Sequence, residues 1–89
     1  MNNANLLYQI VFTLEYGIQQ LIYVNMQEAA ELLDKSNSNH EIIFKHIKFH
    51  SSKILTTQLF KKSLVTNKYE PFSFFEFEEE RREKNWEID

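Results

Sequence analysis

The sequence predicts a small α+β domain. A strand hairpin is followed by one helix and two or three further strands, all in a single antiparallel sheet with the helix on one face, a ββαββ order. Three observations carry this expectation. Apolar residues alternate from Ala4 to Tyr16, a helix-capping pattern opens at Asn25, and alternation returns after Glu41.

Every even position from Ala4 to Tyr16 is apolar or aromatic (Leu6, Tyr8, Ile10, Phe12, Leu14), while Asn5, Gln9, Thr13 and Glu15 fall on odd positions. Period 2 with β-branched and aromatic content is the pattern of a half-buried strand. Gly17 then turns the chain into a second strand, Ile18–Val24. The same stretch has a competing reading: Leu7, Ile10, Val11, Leu14, Ile18, Leu21 and Ile22 also form one helical stripe. The alternative fold is therefore a long N-terminal helix over residues 4–35 followed by a β-meander. That helix has to absorb Gly17 in its interior, at about 1 kcal/mol relative to Ala.

Residues 25–35 read as a helix. Asn25 is a good N-cap, Glu28 completes a capping box, and Val24 with Ala29 form a hydrophobic staple. Met26, Ala29, Ala30, Leu32 and Leu33 supply one apolar face. The polar run Ser36-Asn37-Ser38-Asn39 ends it.

From Glu41 to His50 the pattern is one strand with a cationic side, Ser51-Ser52-Lys53 is a turn, and Ile54–Phe60 is the antiparallel partner. Asn67–Pro71 is a break and Phe72–Phe77 a short aromatic strand. The globular domain is expected to span residues 1–77. Residues 78–89 follow as a charged acidic tail, whose Glu78-Glu79-Glu80-Arg81-Arg82 spacing suits an exposed helix.

Composition bounds the function. The chain has 89 residues, eight Phe, four Tyr, one Trp, one Gly, one Pro and no Cys. It is long enough for one thin core and too aromatic for a disordered segment. A lone glycine cannot build a phosphate-binding loop, and no thiolate site or disulfide exists. The stretch Leu6–Val24 is interrupted by Gln9, Thr13, Glu15, Gln19 and Gln20, which excludes a membrane-spanning helix. Met1–Asn5 carries no Lys or Arg and no cleavage pattern follows. The expected compartment is therefore a reducing one, the cytoplasm or an organelle interior, with no signal peptide. The abundance of Asn, Lys, Ile and Phe fits AT-rich coding.

Charge is sorted into three blocks. Residues 1–39 net −3, residues 40–68 net +5, and residues 69–89 net −5. The basic block holds Lys45, Lys48, Lys53, Lys61, Lys62 and Lys68. With Phe44 and Phe49 it forms a candidate binding surface, lysines for phosphates and rings for unpaired bases or for a protein partner. Scarce Arg weighs against specific base recognition. Lysines also protect sheet edges from unwanted pairing. The acidic tail is a candidate cover for the basic block, and Trp86 within it a candidate protein anchor.

No catalytic, metal or cofactor site is expected. His46 and His50 lie four apart, about 13 Å along a strand and too far for one ion. The serines fall in no nucleophile elbow. The leading expectation is a small non-enzymatic protein–protein interaction module, such as a regulator, inhibitor or accessory subunit. A nucleic-acid-binding protein using residues 40–68 is the alternative, and a structural homo-oligomer, such as a homodimer, is a third.

Overall fold

Strand β1, Tyr8–Leu14, lies inside the main sheet, and its even residues, Tyr8, Ile10, Phe12 and Leu14, are all buried. A computed structural model describes the backbone of residues 6–85 and the side chains of residues 6–83. The described residues form an α+β fold, with a four-stranded and a two-stranded antiparallel sheet and two α-helices. The period-2 reading of the first segment is the one adopted: Glu15–Gly17 turns β1 into β2, Gln19–Val24, which pairs with it from Tyr8–Val24 to Thr13–Gln19. Tyr16 at φ 73° and Gly17 at φ 81° make the reversal; glycine suits that conformation and tyrosine is strained in it.

Helix α1, Met26–Ser36, begins as expected. The Asn25 side chain accepts from the Glu28 amide at 2.8 Å, and the Glu28 carboxylate accepts from the Asn25 amide at 3.1 Å. Val24 and Ala29 are fully buried, and Ala30, Leu32 and Leu33 join the same core as the even residues of β1.

Residues 41–50 are not one strand. They fold on themselves as β3, Glu41–Phe44, and β4, Ile47–His50, a separate two-stranded sheet turned at Lys45-His46. The reversal has no Gly, Asn or Asp; Lys45 makes it by taking φ 57°. Ile42 enters the core, and Phe49 meets Phe12 edge-on at 5.4 Å. Ser51 closes the base of this hairpin. Its amide donates to the His40 carbonyl, its hydroxyl donates to the Ser38 carbonyl at 2.7 Å, and that hydroxyl accepts from the His40 amide.

β5, Ile54–Lys62, pairs with β1 rather than with β4, and β6, Tyr69–Pro71, pairs with the end of β5. The sheet order is thus β2-β1-β5-β6. Leu59 opposite Ile10 places β5's buried residue on the core face. Leu55 is the extra residue of a bulge, since Thr13 faces Thr56 and Leu14 faces Ile54.

The expected aromatic strand at 72–77 is instead the start of a second helix, α2, Phe74–Asn85. Ser73 and Glu76 supply the reason. The Ser73 hydroxyl accepts from the Glu76 amide at 3.0 Å, the Glu76 carboxylate accepts from the Ser73 amide at 3.4 Å, and the Phe77 amide closes on the Ser73 carbonyl. Phe77 is buried against Tyr8 with ring centres 5.3 Å apart. The helix runs straight through residue 77, where the domain was expected to give way to a tail.

Candidate binding surface

The alternation of β1 assigns the two faces of the main sheet. Its even residues meet α1, Ile42 and Phe77, so the core lies on that side. Residues of odd number in β1 face the other way, and pairing carries the assignment outward: Gln9 with Tyr23 and Phe60, Val11 with Leu21 and Gln58, Thr13 with Gln19 and Thr56. Lys62, Tyr69 and Pro71 complete this face. Leu21 and Tyr23 are 48% and 42% exposed, and Gln19, Thr56 and Gln58 are exposed as well. Among the described residues, Lys62 is the one charged side chain on this open face.

Side-chain contacts give the face a fixed shape. The rings of Tyr23 and Tyr69 meet with centres 5.2 Å apart, although they stand on opposite edge strands. Gln9 donates to the Tyr23 hydroxyl at 3.1 Å, and the Tyr69 hydroxyl donates to the Leu6 carbonyl at 2.7 Å. Burial, and secondarily Tyr23 beside it, raises the Tyr69 hydroxyl above its ordinary pKa. Val11, on this face, is 7% exposed.

The residues singled out in the basic block do not share one surface. Lys45 sits at the β3–β4 turn with its ammonium 5.4 Å from the Phe44 ring centre, and Lys48 is 3.9 Å from Glu41. Lys53 is 3.6 Å from Glu15 at the far end of the sheet. Lys61 points to the core side, over the rings of Tyr8 and Phe72, and pairs with Glu80. Lys62, its neighbour in sequence, points to the open face, and Lys68 lies in the exposed β5–β6 loop. Phe44 and Phe49 pack against the core. Trp86 lies outside the described residues.

The acidic segment does return to the fold. Glu80 accepts from the Tyr8 hydroxyl and pairs with Lys61, while Arg81 binds Asp34 at the end of α1, with its nearest contact at 3.0 Å. Burial, followed by the hydrogen bond and charge of Glu80, pushes the Tyr8 hydroxyl well above its usual range.

The histidines are apart. His46 is in the β3–β4 turn, His40 hydrogen-bonds Ser38, and His50 accepts from the Ser52 amide. Among the described residues no group of three His, Asp or Glu is placed to hold a metal ion, and no helix is long and apolar enough to cross a membrane.

The open face escaped sequence reasoning because Tyr23, Phe60 and Tyr69 come from three strands that only the pairing register brings together. The signal in β2 alone was visible: Gln19–Val24 carries no charge on either face. No family model matches the chain, and neither a curated protein nor a solved structure was found to be similar to it.

Proposed function

We propose that the chain is a non-enzymatic protein-binding module that receives its partner on the open face of the four-stranded sheet. The observation that supports this is the composition of that face: Val11, Leu21, Tyr23, Phe60 and Tyr69 among amides and hydroxyls, with Lys62 as its one described charge. Depletion of charge with enrichment of aromatic and aliphatic groups marks the centres of protein interfaces. Tyrosines held by a ring contact lose little entropy on docking. The complementary partner is a protein surface of aliphatic and aromatic groups with few charges.

Nucleic acid is the less supported partner. Affinity for phosphates grows with the number of cations that meet them, and the open face has one. Lys48, Lys53 and Lys61 each stand within 4 Å of a carboxylate.

The test is a photocrosslinking amino acid placed at Gln58, in the middle of the open face, and separately at Glu31, exposed on α1. Irradiation in cells of the source organism is expected to give one discrete protein adduct from position 58 and none from position 31. Equal adducts from both positions would overturn the reading, and nuclease-sensitive adducts at position 58 would replace it with nucleic-acid binding.

A further inference from the structure

The two outer strands of the main sheet are treated differently. β6 has three residues, and Pro71 stands where an outward amide would be. The hydrogen bond from the Phe72 amide to the Leu59 carbonyl fixes this: residues 70 and 72 turn their backbone toward β5, so residues 69 and 71 turn away. Proline there removes a donor, as at protected edges elsewhere. The part of β5 that β6 leaves unpaired is bent by the bulge at Leu55.

β2 has none of these protections. It is six residues long, without proline, charge or bulge. The Leu14 amide donates to the Ile18 carbonyl at 2.7 Å, so even residues of β2 turn their backbone groups toward β1. The amides and carbonyls of Gln19, Leu21 and Tyr23 therefore point outward, and no described strand pairs with them.

We infer that this edge pairs with the same edge of a second copy, antiparallel about a two-fold axis through Leu21. The register follows from the groups on offer. Centred on Leu21, Gln19 of each copy faces Tyr23 of the other and Leu21 faces itself, which uses every outward group and forms about six backbone hydrogen bonds. A shift that placed Gln19 opposite Asn25 fails, because the Asn25 amide is already given to the Glu28 carboxylate and its carbonyl accepts from Ala29.

Charge also suits a second copy. Each chain carries a net charge of −3, yet the stretch Ile18–Gln27 contains no charged residue, so two edges meet without repulsion along the strand. The exposed Leu21 side chains meet at the axis. The isologous contact makes one continuous sheet and joins the two open faces. It uses the edge of β2 rather than its face, and so stands apart from the docking proposed above.

Light scattering of the full chain tests this. The expected mass is twice the 10.8 kDa of one chain. Leu21→Lys and Leu21→Glu are each expected to halve it, by setting two like charges face to face, with the far-UV circular dichroism unchanged. Mixing the two variants is expected to restore the double mass, since opposite charges then meet at the axis. A single-chain mass for the unaltered protein across a dilution series overturns the inference, as do Leu21 variants that stay dimeric or a mixture of folded variants that stays monomeric. A monomer that still gives the position-58 adduct sinks the dimer alone; a dimer without that adduct sinks the docking face alone.

Discussion

The Tyr8 hydroxyl donates a hydrogen bond to the carboxylate of Glu80, joining β1 to α2 across 72 positions of sequence. Lys61 meets the same carboxylate and lies over the Tyr8 ring. These contacts pull an acidic helix onto the core side of the sheet, and among the described residues no helix lies on the opposite face.

The Tyr8 hydroxyl carries a pH dependence. Its folded-state pKa is raised above the ordinary 10.0, chiefly by burial. Below pH 10 both folded and unfolded chains keep the proton, and the contribution is whole. Above it the unfolded chain releases the proton while the folded chain holds it, so stability falls as pH rises. Urea unfolding on either side of pH 10 is expected to show a steeper alkaline loss for the natural protein than for Tyr8→Phe. Equal slopes would mean that the hydroxyl is not held as described.

Phe77 decides whether α2 belongs to the domain. It is 1% exposed, and truncation of a buried Phe costs about 3–5 kcal/mol. Phe77→Ala is expected to remove that much in urea unfolding. Glu80→Gln, which keeps the shape but loses the charge facing Lys61, is expected to cost about 1–2 kcal/mol. Glu79→Gln, on the exposed side, serves as the neutral control. A Phe77→Ala variant as stable as the control would show that α2 adds nothing to the stability of the domain.

Tyr16 points to a stabilising change. Its side chain is 93% exposed while its backbone sits at φ 73°, a conformation that costs a non-glycine residue about 1–2 kcal/mol. Tyr16→Gly removes little packing and is expected to raise the midpoint of thermal unfolding, by an amount corresponding to about 1 kcal/mol at most. A lowered midpoint would show that the exposed ring is held by a contact after all.

Some of this was legible in the sequence, for local reasons. Strict alternation along Tyr8–Leu14 and the Asn25–Glu28 box are patterns over a few residues, and the chain obeys both. The β3–β4 turn was hidden because Lys45-His46 has none of the residues that favour such reversals. The start of α2 was hidden by its aromatic density, which reads as strand, although Ser73 and Glu76 already had the spacing of a capping box. The pairing of β5 with β1 depends on residues forty or more positions apart and leaves no local mark. The basic block is dispersed for a geometric reason: Lys61 and Lys62 are adjacent in the chain and point to opposite faces of the sheet.

The unlike edges of the sheet also bear on how far assembly can go. A sheet with two receptive sides can add copies without end, and the product is a filament. Here Pro71 and the Leu55 bulge close one side, so pairing through Gln19, Leu21 and Tyr23 consumes the receptive side and exposes no new one. Growth then stops at the first addition. Replacing Pro71 with a residue that carries an amide would restore a donor on the closed side, and fibre formation is where that loss of termination would be seen.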